Sequence, residues 1–167
     1  MKVLTPITPI RFKGQSVFLA GPTPRDAETK SWRPEFIERF DELIPKDLDL
    51  TLISPESETW LHDYDSQVEW EWTGIMMASI VLFWIPREIL TMPAFTTNVE
   101  FGLVLGQYEI DLWHNPNKTF RNIVYGHPFD APKTKYLDWH AERLSIPVFH
   151  TQDDMIQRTI SLLKEWR

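Results

Sequence analysis

Ile80-Val81-Leu82-Phe83-Trp84-Ile85 is an unbroken run of six apolar residues, set between Ser79 and the pair Pro86-Arg87. A strand with one face in water alternates polar and apolar residues, so a run without alternation belongs to a strand buried on both faces, as in a parallel sheet covered by helices. Working outward, Ser16-Val17-Phe18-Leu19-Ala20 has the same character and is closed by Gly21-Pro22. Leu50-Thr51-Leu52-Ile53, stopped by Ser54-Pro55, Asn122-Ile123-Val124-Tyr125 and Ile146-Pro147-Val148-Phe149 complete a set of five strands. Helical spacing fills the intervals. Trp32, Phe36, Phe40 and Leu43 mark a helix over Ser31–Leu43, and others are predicted from Ser66 to about Met77, from Thr97 to about Tyr108, over Lys133–Leu144 and over Asp153–Trp166. Strands that alternate with helices predict an α/β class, doubly wound, flavodoxin- or Rossmann-like three-layer sandwich with a five-stranded parallel sheet.

Two helix starts carry capping-box signatures, Ser66-x-x-Glu69 and Thr97-x-x-Glu100. Gly102 and Gly106 lie four apart on the second of these helices. Each costs about 1 kcal/mol of helix propensity relative to alanine, which predicts that they let the helix pack close to the sheet. Residues 109–120, interrupted by Pro116, read as a mobile excursion.

The chain of 167 residues is one domain's worth, residues 1–167 under a single core. Its 17 Lys+Arg against 24 Asp+Glu give a net charge of −7, which disfavours a nucleic-acid polymer as partner. There is no cysteine, so disulfide scaffolds, thiolate nucleophiles and Cys-ligated metals are excluded and a cytoplasmic location fits. The N-terminal region, broken by Pro6 and Pro9, is no signal peptide, and Gly74–Ile85 is short of a membrane span, so no membrane association is expected. The six glycines form neither G-x-G-x-x-G nor a Walker loop, the five histidines form no His-x-x-x-His pair, and no Gly-x-Ser-x-Gly elbow is present. No metal and no cofactor are called for.

Carboxylates remain, and they cluster where this fold presents ligands, beyond the carboxyl ends of the strands. Asp63, Asp65, Glu69 and Glu71 follow the second strand and Glu100 the third. Glu100 has two readings. It is the reciprocal capping partner of Thr97, or it is a nucleophile or base held ionised by the helix N-terminus. Eight tryptophans form a second set: Trp70 and Trp72 flank Glu71 and Trp84 ends the central strand, all three placed to border a flat ligand. Residues two apart on a helix do not share a face, so only one of Trp70 and Trp72 can point into a given pocket.

Val17-Phe18-Leu19-Ala20-Gly21-Pro22, then Glu71-x-Thr73-Gly74-Ile75, then Thr97-Asn98-Val99-Glu100-Phe101-Gly102, in that order and spacing, resembles the nucleoside 2-deoxyribosyltransferase family over roughly residues 16–140. The resemblance implies that Glu100 is the catalytic nucleophile and that Glu71 lies in the substrate pocket. Breaking an N-glycosidic bond develops oxocarbenium character at C1′, which suits one carboxylate as nucleophile and one group protonating the leaving base. Gly21, Pro22 and Thr23 would form the pocket floor, with Gln67, Trp70, Trp84 and Asn98 as further substrate-binding residues and Tyr125-Gly126-His127-Pro128 as a wall. Many family members carry an acidic residue shortly before the nucleophile that contacts the sugar's 5′ end. Pro93-Ala94-Phe95-Thr96-Thr97-Asn98 stands there instead, and a 5′-phosphate met by Arg25 or Arg87 is an alternative. The expected activity is transfer of a (deoxy)ribosyl group from a nucleoside or nucleotide to another free nucleobase. Nucleoside or nucleotide N-glycosidase activity is the first alternative and a non-catalytic nucleotide-binding module the second. Relatives assemble, so a homo-oligomer is expected.

Overall fold

The computed structural model describes residues 1–57, 63–115 and 122–165. In chain order its elements are β1 (Lys2–Leu4), β2 (Gln15–Ala20), α1 (Arg33–Leu43), β3 (Leu50–Ile53), α2 (Tyr64–Met77), β4 (Ile80–Trp84), α3 (Phe95–His114), β5 (Asn122–Gly126), α4 (Lys135–Arg143), β6 (Val148–Phe149) and α5 (Gln152–Glu165). All strands pair in parallel in the order β1-β3-β2-β4-β5-β6. The expected doubly wound architecture is present with one strand more than predicted. β1 adds to the edge beside β3, in register Lys2↔Thr51 to Leu4↔Ile53. Only three residues long, and buried only at Leu4, it has too little pattern to be read from sequence.

The unbroken apolar strands work as the pleat requires, because alternate residues feed opposite cores. Val81, Phe83 and Ile85 join Phe18, Ala20 and Tyr125 under α2, α3 and α4, through Trp70, Ile75, Phe101, Val104, Leu105, Leu137 and Ala141. Ile80, Leu82 and Trp84 join Val17, Leu19 and Val124 under α1 and α5, through Phe36, Phe40, Met155, Ile156 and Ile160. No helix among the described residues is long and apolar enough to cross a membrane.

Two helix starts differ from expectation. Asp63, not Ser66, caps α2: its carboxylate accepts from the Ser66 backbone N–H at 2.7 Å and from Ser66 Oγ at 2.7 Å. α3 starts at Phe95 after Ala94 in the left-handed conformation (φ 60°) and has no side-chain cap. Glu100 therefore lies in the second turn of α3 rather than as the capping partner of Thr97. Residues 109–114, expected in an excursion, continue α3 to His114, while residues 116–121 lie outside the described residues.

The direction in which successive strands are added to the sheet reverses between β2 and β4. The connection from β2 leads outward to β3, and that from β3 crosses back to β4. The crevice at this switch point, beyond the strand ends, is where an open α/β sheet binds ligands.

The helical glycines separate into two kinds. A Cβ on Gly74 would stand 2.8 Å from the Phe18 ring and 3.2 Å from Ile53, so α2 needs this glycine to sit on the sheet. A Cβ on Gly102 or Gly106 would meet nothing within 4 Å, so neither serves the close packing expected of it. Gly74→Ala should therefore lower unfolding stability by about 1–3 kcal/mol through overpacking. Gly106→Ala should raise it by about 0.5–1 kcal/mol through helix propensity. Urea titration of the two variants beside the parent checks both signs.

Candidate active site

The chain leaves β2 through Gly21, where an added Cβ would lie 2.3 Å from the Trp84 carbonyl oxygen and 2.7 Å from the Trp32 ring. Only glycine permits that approach. The turn that follows is held from α1. Arg33, 1% exposed, donates from Nε to the Leu19 carbonyl (3.2 Å), from Nη2 to the Gly21 carbonyl (2.6 Å) and from Nη1 to the Pro22 carbonyl (3.3 Å), Thr23 Oγ1 (3.2 Å) and Glu56 Oε2 (3.0 Å). Arg33 belongs to none of the motifs in the sequence. Its signal is position, since a cation at the start of a helix opposes the helix dipole and needs another reason to be there.

Around this node stand the two carboxylates. Glu71, on α2, accepts at Oε1 from the Gln67 side-chain amide at 2.6 Å, and the same amide donates to the Pro55 carbonyl at 3.2 Å. Gln67 thus anchors Glu71 across one helical turn. Glu100 comes from α3. Both line a polar cavity of about 170 Å³ with Gly21, Pro22, Thr23, Arg25, Arg33 and Thr96. They also line an adjoining, more apolar cavity of about 620 Å³ with Gln67, Val68, Trp72, Val99 and Leu103. The two spaces meet at Thr23, Glu71, Thr96 and Glu100.

Burial, reinforced by the negative charge of Glu71 and opposed by Arg33, pushes the Glu100 pKa up to about 7. Burial also raises that of Glu71, against the Gln67 hydrogen bond and the Arg33 charge. The expectation that the helix N-terminus holds Glu100 firmly ionised is corrected: a second-turn position weakens the dipole effect, and desolvation outweighs it.

Other predicted residues divide by position. Gly21, Pro22, Thr23 and Arg25 line the polar cavity, and the Arg25 guanidinium lies 5.2 Å from the Phe95 ring centroid. Trp70 does not line either cavity; it is buried and donates from Nε1 to the Thr8 carbonyl at 2.8 Å. The indole on the cavity wall is Trp72, its neighbour two along. Trp84 is buried in the core under α1 and α5. Arg87 and Asn98 bond to each other and line a separate cavity on the far side of α3. Tyr125 and His127, expected as a wall, are buried around Asp138, which accepts from Tyr125 Oη at 2.8 Å and lies 3.0 Å from His127 Nε2. Trp113 and Trp139 are exposed, and Trp60 and Trp166 lie outside the described residues.

A carboxyl whose folded pKa lies above its unfolded value favours the fold while protonated, and this advantage is lost as pH rises. For Glu100 the loss runs from the ordinary value of 4.5 to about 7. Glu100→Gln, which stays neutral, should match the parent below the start of that window apart from a constant offset. It should gain on the parent across the window by about 3 kcal/mol. Thermal unfolding of both proteins as a function of pH provides the check.

The sequence profile of the family described as nucleoside 2-deoxyribosyltransferase like matches residues 14–112, more than half of the chain. No curated protein matches significantly. Among solved structures, the crystal structure of a conserved protein from Enterococcus faecalis V583 is similar, with a TM-score of 0.55 over 92% of this chain and 99% of that one. At 12% identity this likeness concerns the fold alone. The profile match spans β2, Arg33, Glu71 and Glu100, and the chain belongs to the nucleoside 2-deoxyribosyltransferase-like family.

Proposed function

We propose that the protein transfers the sugar of a nucleoside or nucleotide from one nucleobase to another through a covalent glycosyl–Glu100 ester. The observation that carries this reading is the placement of two partly buried carboxylates on one cavity, opposite a buried arginine. The ionised Glu100 attacks C1′ as the C1′–N bond breaks. The electron pair leaves with the base, which takes a proton from Glu71 or from water. In the second half, a nitrogen of the incoming base attacks C1′, the ester bond to Glu100 breaks, and the proton of that nitrogen returns to the group that gave one in the first half, Glu71 or the hydroxide left by water. The raised pKa of Glu71 suits an acid, and with Gln67 bonded to Oε1 its other oxygen is left to carry the proton. The sugar occupies the polar cavity. The base lies in the larger one against Trp72, where an indole face is worth about 0.5–1.5 kcal/mol beyond area burial. Completion by water, which makes the enzyme an N-glycosidase, is favoured to the extent that the larger cavity stays open, and Trp72 and Val99 are exposed along it. The exposed Tyr64, Val68, Val99 and Leu103 beside it support the expected homo-oligomer.

Incubation with a deoxynucleoside and a different free base, followed by product separation, should yield the swapped nucleoside. Free sugar alone selects the hydrolase, and unaltered substrate across nucleosides and their 5′-monophosphates removes both. Glu100→Ala should lower turnover at least about a thousandfold, and Glu71→Gln about a hundredfold.

Because the attacking group must be ionised, the acid limb of kcat/KM should have its midpoint near 7, the value for Glu100; where Glu71 supplies the proton the profile falls again at higher pH as Glu71 ionises, and where water supplies it the profile levels off. Glu71→Gln removes a negative neighbour, so it should move this acid limb to lower pH in the residual activity. Arg25 forms no ion pair among the described residues and faces the polar cavity. If the 5′ end carries phosphate, Arg25→Ala should raise KM for 5′-monophosphates about tenfold and leave that for nucleosides unchanged. Steady-state kinetics on the two substrate series decides this.

A further inference from the structure

α3 has two working faces. Thr96, Val99, Glu100 and Leu103 turn toward the carboxylate site. Asn98, Phe101, Gly102, Leu105 and Gly106 turn the other way, onto a separate cavity of about 420 Å³ closed on its far side by α4 and Lys133. α4 lies beyond residues 14–112, the span that the family profile matches.

At the back of this cavity Arg87 is 6% exposed. Its Nη1 donates to the Lys133 carbonyl at 2.7 Å and its Nη2 to Asn98 Oδ1 at 2.5 Å, both neutral acceptors, and its Nε has no partner. Among the described residues no carboxylate pairs with Arg87. The one carboxylate that lines the cavity, Glu109, is engaged by both terminal nitrogens of Arg143. A buried guanidinium without a counter-ion is costly, and the same fold supplies its other buried arginine, Arg33, with Glu56. Lys133, whose backbone is held in the left-handed region (φ 61°), adds a second cation without an ion-pair partner among the described residues.

The rest of the cavity is shaped for something flat. Gly102 and Gly106 expose bare helix backbone with nothing within 4 Å of where a Cβ would stand. Phe101, Leu105 and Leu137 add apolar lining, and Tyr136 stands exposed at the mouth. Helical glycines that serve no packing and an arginine that lacks a counter-charge are separate anomalies, and one ligand accounts for both.

We propose that this cavity is a second ligand site, which takes a small planar molecule bearing one carboxylate or phosphate monoester. The anion meets Arg87 and Lys133, and the flat body lies on Gly102 and Gly106 beneath Tyr136. The cavity shares no lining residue with the two that meet at Glu71 and Glu100, so the site stands whether or not Glu100 is the nucleophile.

Titration of the isotopically labelled protein with benzoate, phenyl phosphate, benzamide and inorganic phosphate, followed by amide NMR, tests it. Benzoate or phenyl phosphate should shift the Gly102, Gly106 and Leu137 amides saturably. Benzamide, the neutral isostere, and inorganic phosphate, which lacks the flat body, should each bind at least tenfold more weakly. The tighter of the two aryl anions identifies carboxylic acids or phosphate monoesters as the class. Gly106→Leu, a substitution that favours helix and fills the floor, should abolish the shifts. Lys133→Gly, which accepts the left-handed backbone and keeps the carbonyl that Arg87 uses, should weaken binding several-fold with the fold intact. Equal binding of benzamide and benzoate, shifts confined to the residues around Glu71 and Glu100, or undiminished binding by Gly106→Leu would each overturn the proposal.

Discussion

The Arg33 guanidinium is enclosed in protein, and much of the arrangement at the strand ends follows from the need to satisfy it. A charge withdrawn from water costs several kcal/mol unless hydrogen bonds and opposite charge replace the solvent. Here the Leu19, Gly21 and Pro22 carbonyls, Thr23 Oγ1 and the Glu56 carboxylate supply that replacement. One side chain therefore ties the end of β2, the start of α1 and the segment after β3 into a single polar node. Its charge also reaches Glu71 and Glu100 and favours the ionised form of each. Without it, Glu71 would keep only the Gln67 hydrogen bond against desolvation, and Glu100 would meet desolvation and the Glu71 charge.

The balance around Glu100 is unfavourable to the fold and suits the proposed attack on C1′. Burial and Glu71 raise its pKa and Arg33 lowers it, leaving the group near neutrality, where small changes in its surroundings alter its charge. A carboxylate in that condition is poorly solvated and correspondingly reactive toward an electron-deficient carbon. α3 delivers it from the second turn because the left-handed Ala94 starts the helix two residues ahead of Thr97. The same start places Asn98 on the opposite face, bonded to Arg87, so one helix divides the carboxylate site from the second cavity.

Most of the architecture was legible in the apolar runs, since a strand covered on both faces must be continuous in apolar residues, and β2 and β4 are. β1 was not, because three residues show no period. The helix starts depart from the capping pattern for a specific reason: Ser66-x-x-Glu69 and Thr97-x-x-Glu100 both satisfy it, but Asp63 captures the first cap and backbone geometry at Ala94 sets the second. At the site, Glu71, Glu100, Gly21, Pro22, Thr23, Gln67 and Arg25 were placed on one crevice by their position after strands, which chain order reveals. Orientation about a helix or strand is harder to read. Trp70 and Trp72 were interchangeable until packing turned the first onto Thr8, and Trp84 and Arg87, next to the crevice in sequence, point away from it. Arg33 went unseen because its partners are mostly backbone carbonyls, which leave no trace in side-chain pattern.

The proposed bond between Glu100 and C1′ of the sugar is covalent, and intact-protein mass spectrometry measures it directly. A nucleoside whose sugar carries fluorine at C2′ slows steps with oxocarbenium character and allows the intermediate to accumulate. The expected result is a mass increase equal to one fluorinated glycosyl group, mapped by peptide fragmentation to Glu100 and absent from Glu100→Gln. Release of the base with no adduct under the same conditions, or an adduct that persists in Glu100→Gln, would contradict it.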